Sequence, residues 1–151
     1  SIRETVREFR AVEHRIEFVL ERSGVRYYND SKGTNPDAAI QAIRAMKGPT
    51  LLIAGGYDKE ARYDEWVNEF EGRVKYLVLI GQTRDKISEC AKAHGFTDIM
   101  YAEDMSEAVS GCASYANMGD NVLLSPACAS WGMFKDYEER GRIFKECVRN
   151  L

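Results

Sequence analysis

Thr50-Leu51-Leu52-Ile53-Ala54-Gly55-Gly56 and Lys75-Tyr76-Leu77-Val78-Leu79-Ile80-Gly81 decide the fold. Each is a run of strand length, and residues 51–54 and 76–80 are apolar at odd and even positions alike. A strand with one wet face alternates. A strand that is apolar on both faces is covered on both sides, as central parallel strands between helical layers are. Working outward, further strand-length runs stand at residues 16–20, 25–28, 98–102 and 121–125. Segments with helical spacing lie between or after them, at residues 36–46, 63–70, 84–94, 105–117 and 136–148, the last with Tyr137, Phe144 and Val148 on one face. Asn35-Pro36 reads as a cap and a first-turn proline, Gly95 as a helix stop, and Ser23-Gly24 as the turn of an antiparallel hairpin. The expected fold is α/β: a Rossmann-like, open, mostly parallel sheet with helices on both faces and an antiparallel N-terminal hairpin strand.

The 151 residues suit one domain, with no internal repeat or linker, and the first dozen read as a helix leading in from an upstream domain. Hydrophobic residues make up 44% and charged residues 30%, a globular composition. Twenty-one Lys+Arg against 24 Asp+Glu give a formal charge of −3, which argues against a broad nucleic-acid-binding face. No apolar run approaches the roughly 20 residues of a membrane span, and no signal-peptide core is present. The four cysteines (Cys90, Cys112, Cys128, Cys147) form no CxxC pair, and His14 and His94 are read as lying far from all of them in sequence, so no metal site is expected. Isolated thiols of this kind suit a reducing compartment, and a cytoplasmic location is expected.

In an open α/β sheet, ligands bind outside the carboxyl ends of the strands. Four segments reach that edge: residues 29–35, 55–59, 81–84 and 125–130. The first carries Asp30, Lys32 and Thr34 two apart, a carboxylate able to accept from hydroxyls and two donors suited to anionic oxygens. The same residues also read as a turn with helix-capping groups. Gly55-Gly56 with Lys59 reads either as a plain turn or as a close backbone approach beside a cation, and it is neither a GxGxxG fingerprint nor a GxxxxGK[ST] loop. Residues 125–130, Ser-Pro-Ala-Cys-Ala-Ser, are small and polar, leaving room for a ligand. No GxSxG elbow is present, and Cys128 reads as a packed thiol rather than a nucleophile. His14-Arg15 and Lys145 with Arg149 read as solvated charges, and Tyr63, Trp66 and Phe70 as core or interface. From the residues alone the reading stops at an anion- or nucleotide-binding α/β domain.

Four motifs occur together and in order: His14-Arg15-Ile16-Glu17; Asn29-Asp30-Ser31-Lys32-Gly33-Thr34-Asn35; Gly55-Gly56-Tyr57-Asp58-Lys59; and residues 124–130 followed by 134–141. This combination resembles the C-terminal domain of the Mur ligases, and among them the D-glutamate-adding branch, over nearly the whole chain. The resemblance assigns residues 13–151 to that domain and implies that the N-terminal UDP-binding and central ATPase domains are absent. It implies an ATP-dependent ligase of peptidoglycan precursor synthesis. There the carboxylate of UDP-N-acetylmuramoyl-L-alanine is phosphorylated and the amine of D-glutamate attacks the acyl phosphate, with Mg2+ held mainly by the central domain. It further implies Arg15 at the nucleotide phosphates, Asp30 at the ribose, and Lys32 at the nucleotide–substrate junction as the catalytic group. Thr34, Lys59 and Ser130 would hold the carboxylates of D-glutamate, and Tyr137 would close the pocket. Gly33 stands where the family often has Ala, and Tyr137 where it often has Phe. A domain of this kind would be inactive alone. A free-standing nucleotide- or metabolite-binding module, and the equivalent domain of another Mur or folylpolyglutamate-type ligase, are the alternatives.

Overall fold

β1 (Glu17–Arg22) and β2 (Val25–Asn29) pair antiparallel across Ser23-Gly24. Both turn residues have positive φ, 54° and 76°, as a two-residue turn of the hairpin-favouring hand requires. After this hairpin the chain alternates: α1 (Pro36–Ala45), β3 (Thr50–Ala54), α2 (Asp64–Asn68), β4 (Val74–Leu79), α3 (Arg84–Ala93), β5 (Ile99–Tyr101), α4 (Met105–Tyr115), β6 (Asn121–Leu124) and α5 (Tyr137–Arg149). The computed structural model describes residues 12–151. The expected lead-in helix over residues 1–12 lies, but for Val12, outside the described residues.

The six strands form one sheet in the order β1-β2-β6-β3-β4-β5, with every pair after β1·β2 parallel. Period-2 alternation splits the apolar runs between two cores. Leu52, Ala54, Leu77, Leu79 and Leu123 face α1, α2 and α3, where Ile43, Trp66, Phe70 and Ile87 are buried. Leu51, Ile53, Val78, Ile80, Val122 and Leu124 face α4 and α5, where Val109, Cys112, Phe144 and Val148 are buried. The strands apolar on both faces are thus the ones with a helical layer on each side. Tyr63, Trp66 and Phe70 are core, exposed by 2% or less.

The last strand, β6, inserts between β2 and β3, with Leu124 level with both Asn29 and Ile53. The exit of β6 therefore emerges between the exits of β2 and β3. α1 begins where capping was expected, with Asn35 Oδ1 accepting from Ala38 N at 2.9 Å and Pro36 first in the helix, and the structure adds Asp104 and Asp136 as caps of α4 and α5 in the same way. Among the described residues no helix is long and apolar enough to cross a membrane.

Candidate functional site

The insertion of β6 stitches three of the four carboxyl-edge segments together by main-chain hydrogen bonds. Asp30 N donates to Leu124 O at 2.7 Å, Ala127 N to Gly33 O at 2.9 Å, Gly55 N to Pro126 O at 2.9 Å and Tyr57 N to Ala129 O at 2.9 Å. The fourth segment braces the second: Gly56 N donates to Thr83 Oγ1 at 3.0 Å and Asp58 N to Gln82 Oε1 at 2.9 Å. The double glycine serves this stitching. A Cβ at Gly56 (φ 154°) would stand 2.5 Å from Ala129 O, and one at Gly55 (φ 105°) would collide with Ile80 O. The close backbone approach expected there is to the chain's own strands. Among the described residues five non-glycine residues have positive φ; of these Ala127 lies in an edge segment, Glu60 directly follows one, and His14 and Ile16 stand at the strand entry beside them. For β-branched Ile16 this is a strained conformation.

Two adjoining recesses open at the edge, one on each side of the loop over residues 30–35. The first, about 240 Å³, is lined by Arg15, Ile16, Asp30, Lys32, Gly33, Ala38 and Gln41. The second, about 170 Å³, is lined by Thr34, Lys59, Ser130, Trp131, Asp136 and Tyr137, with Ala129. The seven residues singled out in the sequence all fall at this edge. Arg15, Asp30 and Lys32 line the first recess, and Thr34, Lys59, Ser130 and Tyr137 the second. Lys32 spans the boundary, its Nζ 6.0 Å from the centre of the Tyr137 ring.

The polar groups of the two recesses are held differently. Asp30 is 4% exposed. Its Oδ1 accepts from Ile16 N at 3.1 Å and its Oδ2 from Ser125 Oγ at 2.8 Å. Burial pushes its carboxyl up to about 6, against the opposing pull of the Ser125 and Ile16 hydrogen bonds and of the Arg15 and Arg140 charges. With both oxygens engaged, Asp30 does not fit a magnesium ligand, and the first recess has no other carboxylate. Its two cations suit the phosphates of a nucleotide. In the second recess Thr34, Lys59 and Ser130 have side chains that bond to no described residue, although Ser130 is only 4% exposed. A hydroxyl left open at a recess beside an ammonium suits an anionic ligand. The Tyr137 carbonyl is already taken by Ser31 Oγ at 2.5 Å. Its ring remains to close the recess, along with its N–H, which at the first position of α5 has no helical partner.

Sequence reasoning missed Arg140, which holds the two recesses in register. It is fully buried. Its Nε donates to Ser31 Oγ at 2.9 Å, one terminal nitrogen to Ser31 O at 2.7 Å and the other to Cys128 O at 2.9 Å. The planar guanidinium fork thereby clamps the loop after β2 to the loop after β6. Burial lowers its own pKa to about 10, still charged at neutrality.

Three expectations need correction. His14 is buried, 3% exposed, with Nδ1 2.9 Å from Asn29 Nδ2, because α5 packs on it where Gly141 leaves no side chain in the way. Its backbone oxygen accepts from Lys32 N at 2.9 Å. Burial lowers its pKa, so it is neutral at physiological pH. Lys145 is not a solvated charge either. It is 6% exposed and donates to Glu13 at 2.8 Å and Glu17 at 3.2 Å. Cys90 and His94, read as far apart in sequence, are only four residues, one helical turn, apart and meet Asp64. Cys128 is a packed thiol, as expected, held between Tyr63 OH at 3.3 Å and Thr83 Oγ1 at 3.5 Å and pushed up by burial.

Comparison with known proteins agrees with this architecture. The family described as "Mur ligase, glutamate ligase domain" matches residues 14–128. The chain belongs to this family. UDP-N-acetylmuramoylalanine–D-glutamate ligase of Lachnoclostridium phytofermentans is 62% identical over 150 residues, covering 99% of this chain and 33% of that protein. The Lachnospira eligens protein of the same name is 60% identical over 148 residues, covering 98% and 33%. Among solved structures, UDP-N-acetylmuramate–alanine ligase from Thermotoga maritima matches with a TM-score of 0.64 at 14% identity, over 97% of this chain and 32% of that one. The MurF ligase of the same organism, in complex with ADP, gives 0.58 at 17% identity, over 94% and 33%. These two share the fold. The chain spans about a third of the length of the curated relatives it matches.

Proposed function

We propose that this Mur ligase domain supplies the amino-acid site and the closing face over ATP in a ligase that adds D-glutamate to UDP-N-acetylmuramoyl-L-alanine. The reaction would serve peptidoglycan precursor synthesis, and hence cell shape and division, in the cytoplasm. The observation that carries the reading is the second recess, where Thr34, Lys59 and Ser130 present two hydroxyls and an ammonium with no protein partner among the described residues. A dianionic amino acid satisfies all three. Its amine then lies toward Lys32, beside the first recess, where Arg15 and Lys32 face the nucleotide phosphates and the rim of Asp30 faces the ribose. Lys32, between the recesses, stabilises the charge that develops as the amine attacks the activated carboxylate. The main contribution is placement: it converts a collision of two anions into a fixed approach. Magnesium, when bound, neutralises phosphate charge and is held by the other domains of the ligase, since the first recess has no free carboxylate for it.

Residues 13–151 form the closing unit. Alone, this chain releases no phosphate from ATP. In a full-length ligase carrying this domain, Ser130→Ala combined with Lys59→Ala removes addition of D-glutamate while nucleotide binding persists. Unchanged D-glutamate addition by that double variant refutes the assignment.

A further inference from the structure

Away from both recesses, on the face where α2 meets α3, Asp64, Cys90 and His94 converge. Cys90 and His94 are four residues apart at the end of α3, so the helix places both side chains on one face. Asp64, the first residue of α2, meets them from the neighbouring helix on the same face of the sheet. His94 Nε2 is 3.0 Å and Cys90 Sγ 3.8 Å from Asp64 Oδ1, and the three donor atoms all lie within 4.8 Å of one another. Three donors around one tetrahedral ion, with bonds of about 2.0–2.3 Å, stand roughly 3.3–3.7 Å apart. Small rotamer adjustments of surface side chains bring this set to that spacing.

We propose that Asp64, Cys90 and His94 form a site for a borderline divalent cation of the Zn2+ class that ties α2 to α3. Sulfur and imidazole nitrogen select zinc-like ions over magnesium or calcium. Cys90 is partly covered, whereas the side chains of Asp64 and His94 are 49% and 30% exposed. Water therefore reaches the fourth position. Arg62 Nε lies 4.0 Å from Asp64 Oδ2, leaving Oδ1 as the ligating oxygen. On binding, the Cys90 thiol releases its proton to solvent and a metal–sulfur bond forms, with no change of oxidation state. The site is structural in its consequence. Tyr63, next to Asp64, is buried against Cys128, and the segment from Tyr57 to Tyr63 carries Lys59. An ion at Asp64 fastens the far end of the segment that delivers the cation of the second recess.

The test uses the 151-residue chain, reduced and stripped of metal, titrated with Co2+ as the probe. One equivalent is expected to give the thiolate-to-cobalt charge-transfer band and tetrahedral ligand-field absorption, both abolished by Zn2+ displacement. Cys90→Ser is expected to remove the charge-transfer band, and His94→Gln and Asp64→Asn each to weaken binding at least tenfold. Circular dichroism of each variant checks that the fold is kept. Absence of the charge-transfer band with wild-type chain, or a band that survives in Cys90→Ser or keeps its full affinity in His94→Gln, overturns the proposal.

Discussion

The two ends of the parallel strands use their charged groups in opposite ways. At the amino end, Lys75 Nζ sits 2.8 Å from Asp120 Oδ2, which also accepts from Asn117 N at 2.8 Å, and Asn121 Nδ2 donates to Lys47 O at 3.1 Å. Every one of these groups answers another part of the protein. At the carboxyl end, Arg15, Lys32 and Lys59 have no ion-pair partner among the described residues, and the Ser130 hydroxyl, which lines the second recess, bonds to none of them either. The lesson is that polarity at a strand end does not mark a site. Polar groups that line a recess without an internal partner do, because the fold leaves their satisfaction to something that binds.

Arg140 offers the largest way to break the comparison, since it sits at the carboxyl end yet is fully paired. Arg140→Ala leaves the Ser31 and Cys128 carbonyls without their donor. It is expected to cost about 3–5 kcal/mol in urea unfolding and to weaken both recesses together. Arg140→Lys recovers little, because one ammonium cannot span both loops. Full stability in Arg140→Ala would show that the loops hold each other without the clamp.

Asp30 comes next. Its carboxyl, normally near 3.8, is raised to about 6 by burial, so between those values the folded protein binds more protons than the unfolded chain. The stability this group lends is complete below about pH 4 and is lost as pH rises through 6, by about 3 kcal/mol in all. Asp30→Asn keeps an acceptor for Ile16 N and is expected to remove that slope. Stability measured from pH 4 to 8 for both proteins checks it, and parallel profiles would contradict the assignment of the slope to Asp30.

Lys59 sharpens the contrast. In a full-length ligase carrying this domain, Lys59→Ala is expected to raise KM for D-glutamate about 10- to 100-fold, the loss of roughly 1.5–3 kcal/mol of charge-assisted bonding. The midpoint of unfolding should move by no more than about 0.5 kcal/mol, because the ammonium answers nothing inside the protein. Asp120→Asn, at the opposite end, should show the reverse and smallest effect: about 1 kcal/mol of stability, read by thermal unfolding, with KM for D-glutamate unchanged.

Much of this was legible before any coordinates. The two-sided apolar runs at residues 51–54 and 76–80 pointed to central strands, Ser23-Gly24 to the hairpin, and Asn35-Pro36 to a helix start, all through local rules that act within a few residues. The polar candidates Thr34, Lys59 and Ser130 were legible for the same reason: each follows a strand that the local pattern identifies. Arg140 was not, since an arginine in a segment with Glu138, Glu139 and Arg142 looks solvated until α5 turns it inward. His14 and Lys145 failed for the same reason, both being covered by the packing of α5 against the hairpin. Cys90 and His94 carried a helical spacing that could have been read, but their third partner, Asp64, lies 26 residues before Cys90 in a different helix.

The amino-acid order by itself determined which segments become strands and helices and which loops carry donors, because periodicity and capping are settled among near neighbours. Only the tertiary structure decided that the last strand enters the sheet between β2 and β3. That placement costs the closure of a long stretch of chain and is repaid by burying Val122, Leu123 and Leu124 on both faces. It draws residues 30–35, 55–59 and 125–130 to one rim, and with Arg140 drawn in behind them it turns scattered hydroxyls and cations into two adjoining recesses.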